Sequence, residues 1–316
     1  MEIALQILLL VLGFVCLIKG ADFFVEGASK IACKFHIPEI IIGLTIVAFG
    51  TSAPEAAISI AAGMKGSADL AISNVTGSNI MNILLILGIT SLILPLPVKK
   101  NTFRFEIPFV IAITILLAVL GSFGNSLDFK DGIILWAVFI GFFVYLVMLA
   151  KRGEGNADDV AKLTEKDTML KIILMTVGGI AAIIIGSNLT VDSATYIAKA
   201  LGVSDRIIGL TIVAFGTSLP ELITCITAAR KGNTDIAIGN IVGSNIFNIL
   251  FVLGTTCLFT PVKFTAEGNL FDTIVAIGAA VVLFLSVCNK KRKMGRIAGI
   301  IMVLLYAAYF TYITVL

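Results

Sequence analysis

Ten runs of mostly apolar residues, each long enough to cross a bilayer, fill this 316-residue chain and leave it very few folds. They lie at about 2–20, 37–63, 69–95, 104–121, 131–150, 169–187, 204–229, 235–260, 269–288 and 296–315. Crossing the hydrocarbon takes roughly 20 residues of helix. Backbone in lipid must satisfy its own hydrogen bonds, so only helices and closed barrels remain. The runs are continuous rather than alternating, which argues against barrel strands. With 58% of residues hydrophobic and 14% charged, against about 25% charged in a soluble domain, a water-soluble globule and a disordered chain are excluded as well. The expected class is an all-α polytopic membrane protein of ten transmembrane helices, with the lipid bilayer as its surroundings.

The few charges are informative by position. With the N-terminus outside, 18 of the 23 Lys and Arg fall on the cytoplasmic side, among them Lys99, Lys100, Lys151, Arg152, Lys290, Lys291, Arg292, Lys293 and Arg296. Positive charge marks cytoplasmic loops, so both termini are expected outside, in a multi-pass protein of the cell (inner) membrane. The net charge of +3 is scattered over short loops and gives no nucleic-acid surface. Cys16, Cys33, Cys225, Cys257 and Cys288 have no CxxC spacing and read as small apolar helix residues. His36, before Pro38, reads as a solvated loop residue. No cleavable signal peptide is expected, since residues 3–18 read as the first span. The longest polar stretch, within 151–168, is a cytoplasmic linker too short to fold alone. It separates a first half, 1–150, from a second, 169–316.

The chain repeats itself. Residues 43–55, GLTIVAFGTSAPE, and 209–221, GLTIVAFGTSLPE, match at twelve of thirteen positions, at an offset of 166. The register continues without a gap: residues 66–88 and 232–254 match at fourteen of twenty-three. The copies occupy spans two and three and spans seven and eight. Each span of the second copy comes five spans after its mate, an odd number, so the two five-helix halves enter the membrane with inverted topology, a common transporter plan.

Each copy carries a carboxylate inside an apolar run, Glu55 and Glu221. Such a group is costly in lipid, by about 2.5–3.5 kcal/mol for Asp on insertion scales, and normally faces a cavity with a partner. No Lys or Arg lies at matching depth, so the partner is expected to be an exchangeable cation or a proton. Pro54 and Pro220 precede the two acids, remove an N–H and clash with the carbonyl four residues back, at Gly50 or Gly216. Helix breaks are therefore expected around Ala48–Ala53 and Ala214–Leu219. Freed carbonyls and the hydroxyls of Thr51, Ser52, Thr217 and Ser218 would complete an all-oxygen set suited to Ca²⁺ or Na⁺. Back-bonding of those hydroxyls at a kink is the alternative. On the next helix Asn74, Ser78 and Asn82 share a face, and Asn240, Ser244 and Asn248 repeat it. They serve either the cation or interhelical packing beside Gly77 and Gly243. With one His and no clustered Cys, a zinc or copper site lacks its ligands, and an intramembrane protease lacks its parts.

At these residues the sequence resembles the cation/calcium exchanger superfamily, and within it the compact prokaryotic sodium/calcium exchangers. GTSAPE and GTSLPE are similar to that family's two repeat signatures, and SNVTGSNIMN and GNIVGSNIFN to the helices that follow them. The chain resembles the proton/calcium branch less. The resemblance implies Glu55 and Glu221 as the carboxylates bridging Ca²⁺, with Thr51 and Thr217 adding carbonyls. It implies Ala48 and Ala214 as carbonyl donors to Na⁺, Ser52, Ser218, Ser78 and Ser244 as hydroxyl ligands of Na⁺, and Asn82 and Asn248 as a polar pair between them. Some relatives have Asp at one of those last two positions, tied to K⁺ use; amides at both imply potassium independence. No Ca²⁺-sensing cytoplasmic domain fits in the short linker.

The implied function is Na⁺/Ca²⁺ antiport by alternating access, with Ca²⁺ and Na⁺ as substrates. No enzyme activity, resident cofactor, nucleic acid or obligate protein partner is expected. The first and sixth spans, with Gly13, Gly20, Gly178, Gly179 and Gly186, would slide across the rest. The alternatives are a Ca²⁺/H⁺ or other cation/H⁺ exchanger on the same acids, and a cation channel.

Overall fold

The apolar runs fold as helices, and what sets their lengths is the pattern of burial past the apolar stretch. The computed structural model describes residues 2–65, 68–152, 163–164, 167–202, 212 and 214–315. Most of the linker, and residues 209–211 and 213 of the second repeat copy, lie outside the described residues. The helices are α1 (Glu2–Phe35), α2 (Glu39–Met64), α3 (68–93), α4 (Thr102–Ser122), α5 (Phe129–Arg152) and α6 (Met169–Ala200). Then come α7 (214–230, in two pieces), α8 (Thr234–Phe259), α9 (266–287) and α10 (Arg296–Val315). Among the described residues nine are long and apolar enough to cross a membrane, and the broken α7 lies between two of them.

Two boundaries depart from the sequence reading. The first and sixth spans, expected at 2–20 and 169–187, are helices of 34 and 32 residues. Past Lys19 the first keeps helical periodicity: Ala21, Phe24, Val25, Ala28 and Ala32 are buried on one face. Asp22, Glu26 and Lys34 are charged punctuation on the other face, not a helix end. Cys288 is also misread, since it is exposed at the C-terminal cap of α9 rather than packed in a helix. His36 is exposed, in a turn with φ of 54°.

Two short antiparallel bridges fix how the halves relate. Strand β1 (Leu96–Pro97) pairs with β4 (Lys293–Met294), and β2 (Ser126–Leu127) with β3 (Val262–Lys263). Adding 166 to β1 gives β3, and adding 167 to β2 gives β4. The two bridges are thus images of one another under the internal repeat. The first joins the loops after α3 and α9, the second the loops after α4 and α8. With each helix crossing once, these loops lie at opposite ends of the bundle, as an inverted repeat requires.

The repeat helices form the centre. In α8, 94% of the apolar window is buried, against 17% for α1 and 11% for α10. Helices α2 and α8 cross at Gly43 and Gly239, where a Cβ on Gly239 would stand 2.8 Å from the Ile40 carbonyl. The long helices α1 and α6 form an antiparallel pair on the side of this core. Gly13 meets Thr190, Gly20 meets Ile183 and Gly27 meets Thr176, a seam of small residues that lets two backbones approach in lipid. At one end, outside the spans, Asp167 clamps the pair. Its carboxylate accepts from Lys30 Nζ of α1 at 2.9 Å, from Lys171 Nζ of α6 at 3.3 Å and from the Thr164 hydroxyl at 2.8 Å. These donors, Lys30 foremost, hold its carboxyl well below the usual carboxylate range. At the same end Lys231, after α7, donates to the Asp22 carbonyl at 2.7 Å.

The seam makes a contrast between adjacent glycines. A Cβ on Gly179 would stand 2.6 Å from the backbone nitrogen of Phe24, whereas one on Gly178 meets nothing within 4 Å among the described residues. Overpacking of this kind costs about 1–3 kcal/mol. Gly179→Ala is expected to lower the midpoint of thermal unfolding in detergent by several degrees, and Gly178→Ala to leave it unchanged.

Candidate functional site

The two prolines act differently on their helices. In the first copy the expected break does not occur: α2 continues as regular helix from Ala48 to Met64 through Pro54. A wider π-helical turn, Gly43–Val47, lies just before it, and such turns accommodate an irregular ladder without ending the helix. The Thr51 hydroxyl lies 3.2 Å from the Val47 carbonyl and 3.3 Å from that of Ala48. In the second copy the break is present, at Ser218, with φ −95° and ψ 5°. It divides α7 into Ala214–Thr217 and Leu219–Arg230, and Pro220 becomes a first-turn residue, where a missing N–H is harmless. The carbonyl that Pro220 leaves without its helical donor, Gly216, accepts the Ser187 hydroxyl of α6 at 2.9 Å.

Beside these prolines the halves exchange hydrogen bonds. Ser52 of α2 donates to Glu221 Oε1 at 2.8 Å, and Ser218 at the break donates to Glu55 Oε1 at 2.9 Å. Each carboxylate is therefore held by the serine that precedes the other one. Ser78 of α3 adds a second donor to Glu55 Oε1 at 2.9 Å, and Asn248 of α8 donates to Glu55 Oε2 at 3.3 Å. Glu55 and Glu221 are 1% and 0% exposed. Among the described residues no Lys or Arg pairs with either.

The asparagine stripe is only partly as expected. Asn82 and Asn248 are buried at the start of π-helical stretches of α3 and α8, and Asn240 accepts the Thr51 hydroxyl at 3.0 Å. Asn74, its counterpart, is half-buried and only donates to Ser59 at 2.9 Å, away from the acids. Ser244 is buried one turn before Asn248, on the same face. Ala48 is buried, Thr217 half-buried just before the break, and Ala214 begins the first piece of α7.

Two residues at the centre escaped the sequence reading. Asn79 accepts from Asn248 Nδ2 at 3.2 Å and donates to the Asn245 carbonyl at 3.2 Å. Asn245 Oδ1 accepts from Asn82 Nδ2 at 3.4 Å. Asn79 and Asn245 are repeat mates in the duplicated GSN, so the repeat itself carries the signal, though neither lies on the face shared by Asn74, Ser78 and Asn82 or by their mates.

The arrangement leaves acceptor oxygens pointing at nothing. Asn82 Oδ1, Asn248 Oδ1, Glu221 Oε2 and Ser244 Oγ are buried without a hydrogen-bond partner, and so are the donor nitrogens Asn240 Nδ2 and Asn245 Nδ2. Buried polar atoms are nearly always satisfied. Two carboxylates, orphaned amide and hydroxyl oxygens, and no nitrogen or sulfur ligand are the chemistry that hard cations seek. No cluster of three or more His, Cys, Asp or Glu exists among the described residues.

The model of the family described as sodium/calcium exchanger protein matches residues 5–148 and 171–315. The putative antiporter CaxA of Alkalimonas amylolytica is 41% identical over 307 residues, covering 94% of this chain and 95% of its own. The sodium/calcium exchanger MaX1 of Methanosarcina acetivorans is 32% identical, over 97% of this chain and 98% of its own. The solved structure of the sodium-calcium exchanger NCX_Mj soaked with zero Na⁺ and Ca²⁺ superposes with a TM-score of 0.85 at 32% identity, over 98% of this chain and 99% of that one.

The central amides differ in what depends on them. Asn245→Leu strands the buried Asn82 amide, and an unsatisfied group of this kind costs about 1–3 kcal/mol. Asn74→Leu removes a half-buried amide and leaves the buried Ser59 hydroxyl, which can bond back to its own helix. Thermal unfolding in detergent is expected to show a clear loss for the first and little change for the second.

Proposed function

The chain belongs to the sodium/calcium exchanger family, a family of integral membrane transporters and not enzymes, and from that premise we propose that it exchanges Na⁺ for Ca²⁺ by alternating access at the Glu55–Glu221 pair. The observation that carries this reading is the crossed pair of serine–glutamate bonds set beside unpartnered buried oxygens. Ca²⁺ lies between Glu55 and Glu221, with Thr51 and Thr217 contributing carbonyl oxygens. Na⁺ ions use the same carboxylates with Ser52, Ser218, Ser78 and Ser244 and the carbonyls of Ala48 and Ala214. Asn82 and Asn248 furnish amide oxygens between them. The hydroxyls of Ser52, Ser218 and Ser78, which donate to the carboxylates, turn their lone pairs to the ion when it enters, and Ser244 Oγ has no bond to give up.

Antiport follows from the electrostatics. Two carboxylates carry two negative charges, which one Ca²⁺ neutralises. Without an ion the pair is two like charges in a low dielectric, so the apo carrier resists crossing and the ions cross by turns. Three Na⁺ would leave one net positive charge, and moving it is worth about 2.3 kcal/mol per 100 mV. The halves 1–150 and 169–316, joined by the 151–168 linker, provide the two opposed pathways, and α1 with α6 slides across the remaining helices. The Lys and Arg asymmetry supports both termini outside. No resident cofactor and no obligate protein partner enter this reading.

In proteoliposomes, an outward Na⁺ gradient is expected to drive ⁴⁵Ca²⁺ uptake, and Glu55→Gln and Glu221→Gln each to reduce it to the level of protein-free vesicles. Retained Na⁺-driven uptake in either variant contradicts the reading. Because Asn82 and Asn248 are both amides, replacing external K⁺ by choline is expected to leave uptake unchanged. The orphaned Glu221 Oε2 is also a place for a proton, which favours one competing reading, Ca²⁺/H⁺ exchange. A pH gradient without Na⁺ separates them: it drives no uptake here, and drives uptake if protons are the coupling ion.

A further inference from the structure

The two proline-bearing helices share AFGTS and the Pro-Glu that follows it, yet only α7 is broken; they differ at Ala53 and Leu219, past the acid, and in the neighbour that each helix meets. Pro220 leaves the Gly216 carbonyl without a helical donor, and the Ser187 hydroxyl of α6 takes that carbonyl at 2.9 Å. Both residues are buried. One turn along α6, the side chain of Val191 lies where a Cβ on Gly216 would stand, so the two helices are in direct contact at this point. In the other half the position 166 residues before Ser187 is Ala21, which has no hydroxyl to offer Gly50, the carbonyl that Pro54 leaves free. There α2 runs unbroken from Ala48 to Met64.

We propose that Ser187 is a positioning residue that latches α6 to the broken form of α7 and thereby links movement of the α1–α6 pair to the helix that carries Ser218 and Glu221. The bond requires the Gly216 carbonyl to tilt out toward α6. A shift of α6 by one residue, about 1.5 Å along its axis, or straightening of α7 separates donor from acceptor. Sliding and unkinking are then one event rather than two. The mirror-related side carries alanine and has no such latch, so the two pathways are held by unequal contacts despite the repeat.

The test uses the full-length protein with Ser187→Ala, and Ser187→Thr as the hydroxyl-retaining control. Losing a hydrogen bond of ordinary net strength changes a local opening equilibrium about fivefold. Hydrogen exchange followed by mass spectrometry is expected to show residues 214–222 exchanging about that much faster in Ser187→Ala, with Ser187→Thr at the parent rate. In proteoliposomes the transport arm, which alone rests on the proposed exchange activity, is expected to show an altered turnover with the KM for Ca²⁺ unchanged, because no donor to either carboxylate is touched. Parent-like protection in Ser187→Ala overturns the latch. So does a KM that rises in step with the loss of turnover, which marks damage to the ion site instead. If Ser187→Ala does not fold, Ser187→Cys, with its weak donor, takes its place under the same criteria. Should the parent itself fail to exchange Na⁺ for Ca²⁺, the functional reading fails, and the hydrogen-exchange arm still decides the latch.

Discussion

Two carboxylates buried in one bundle of apolar helices set the terms for everything around them. Neither Glu55 nor Glu221 pairs with a base among the described residues, so hydrogen-bond donors must hold them, and those donors are contributed crosswise by Ser52 and Ser218. Serine and acid are three residues apart in each copy, so each helix presents both to the other on one face. An inverted repeat supplies two such helices facing each other. The central position of α2, α3, α7 and α8, the close α2–α8 crossing at Gly43 and Gly239, and the amides of Asn79, Asn82, Asn245 and Asn248 all serve to bring that pair together and keep it from lipid.

Much of this was legible in the sequence because lipid narrows the possibilities so far. Run length and continuity gave ten spans. The offset of 166, a displacement of five spans, gave the inversion, and the bridges β1·β4 and β2·β3 are its imprint in the loops. The acids stood out because an apolar run makes a lone carboxylate conspicuous. What was not legible depends on tertiary neighbours. Lys19 and Asp22 looked like the end of a span, yet α1 continues because Ala21, Phe24, Val25, Ala28 and Ala32 find α6 and the core to bury against. Pro54 looked like a helix break equal to Pro220. Proline fixes only the loss of one donor; the carbonyl freed by Pro220 is taken by Ser187 of α6, and α7 is the helix that breaks.

The residual asymmetry is as informative as the symmetry. Glu55 accepts from Ser218, Ser78 and Asn248, whereas Glu221 Oε2 and the repeat mate of Ser78, Ser244 Oγ, are both without a partner. Asn240 reaches Thr51 while Asn74 stays with Ser59.

The central claim is that Ca²⁺ and Na⁺ compete for one pair of carboxylates. Equilibrium binding of ⁴⁵Ca²⁺ to the purified protein in detergent, titrated with Na⁺ at constant ionic strength, tests it most directly. The account predicts complete displacement of Ca²⁺ with a Hill coefficient for Na⁺ above one, since several Na⁺ share the site that one Ca²⁺ leaves. Ca²⁺ that remains bound at saturating Na⁺ would contradict it.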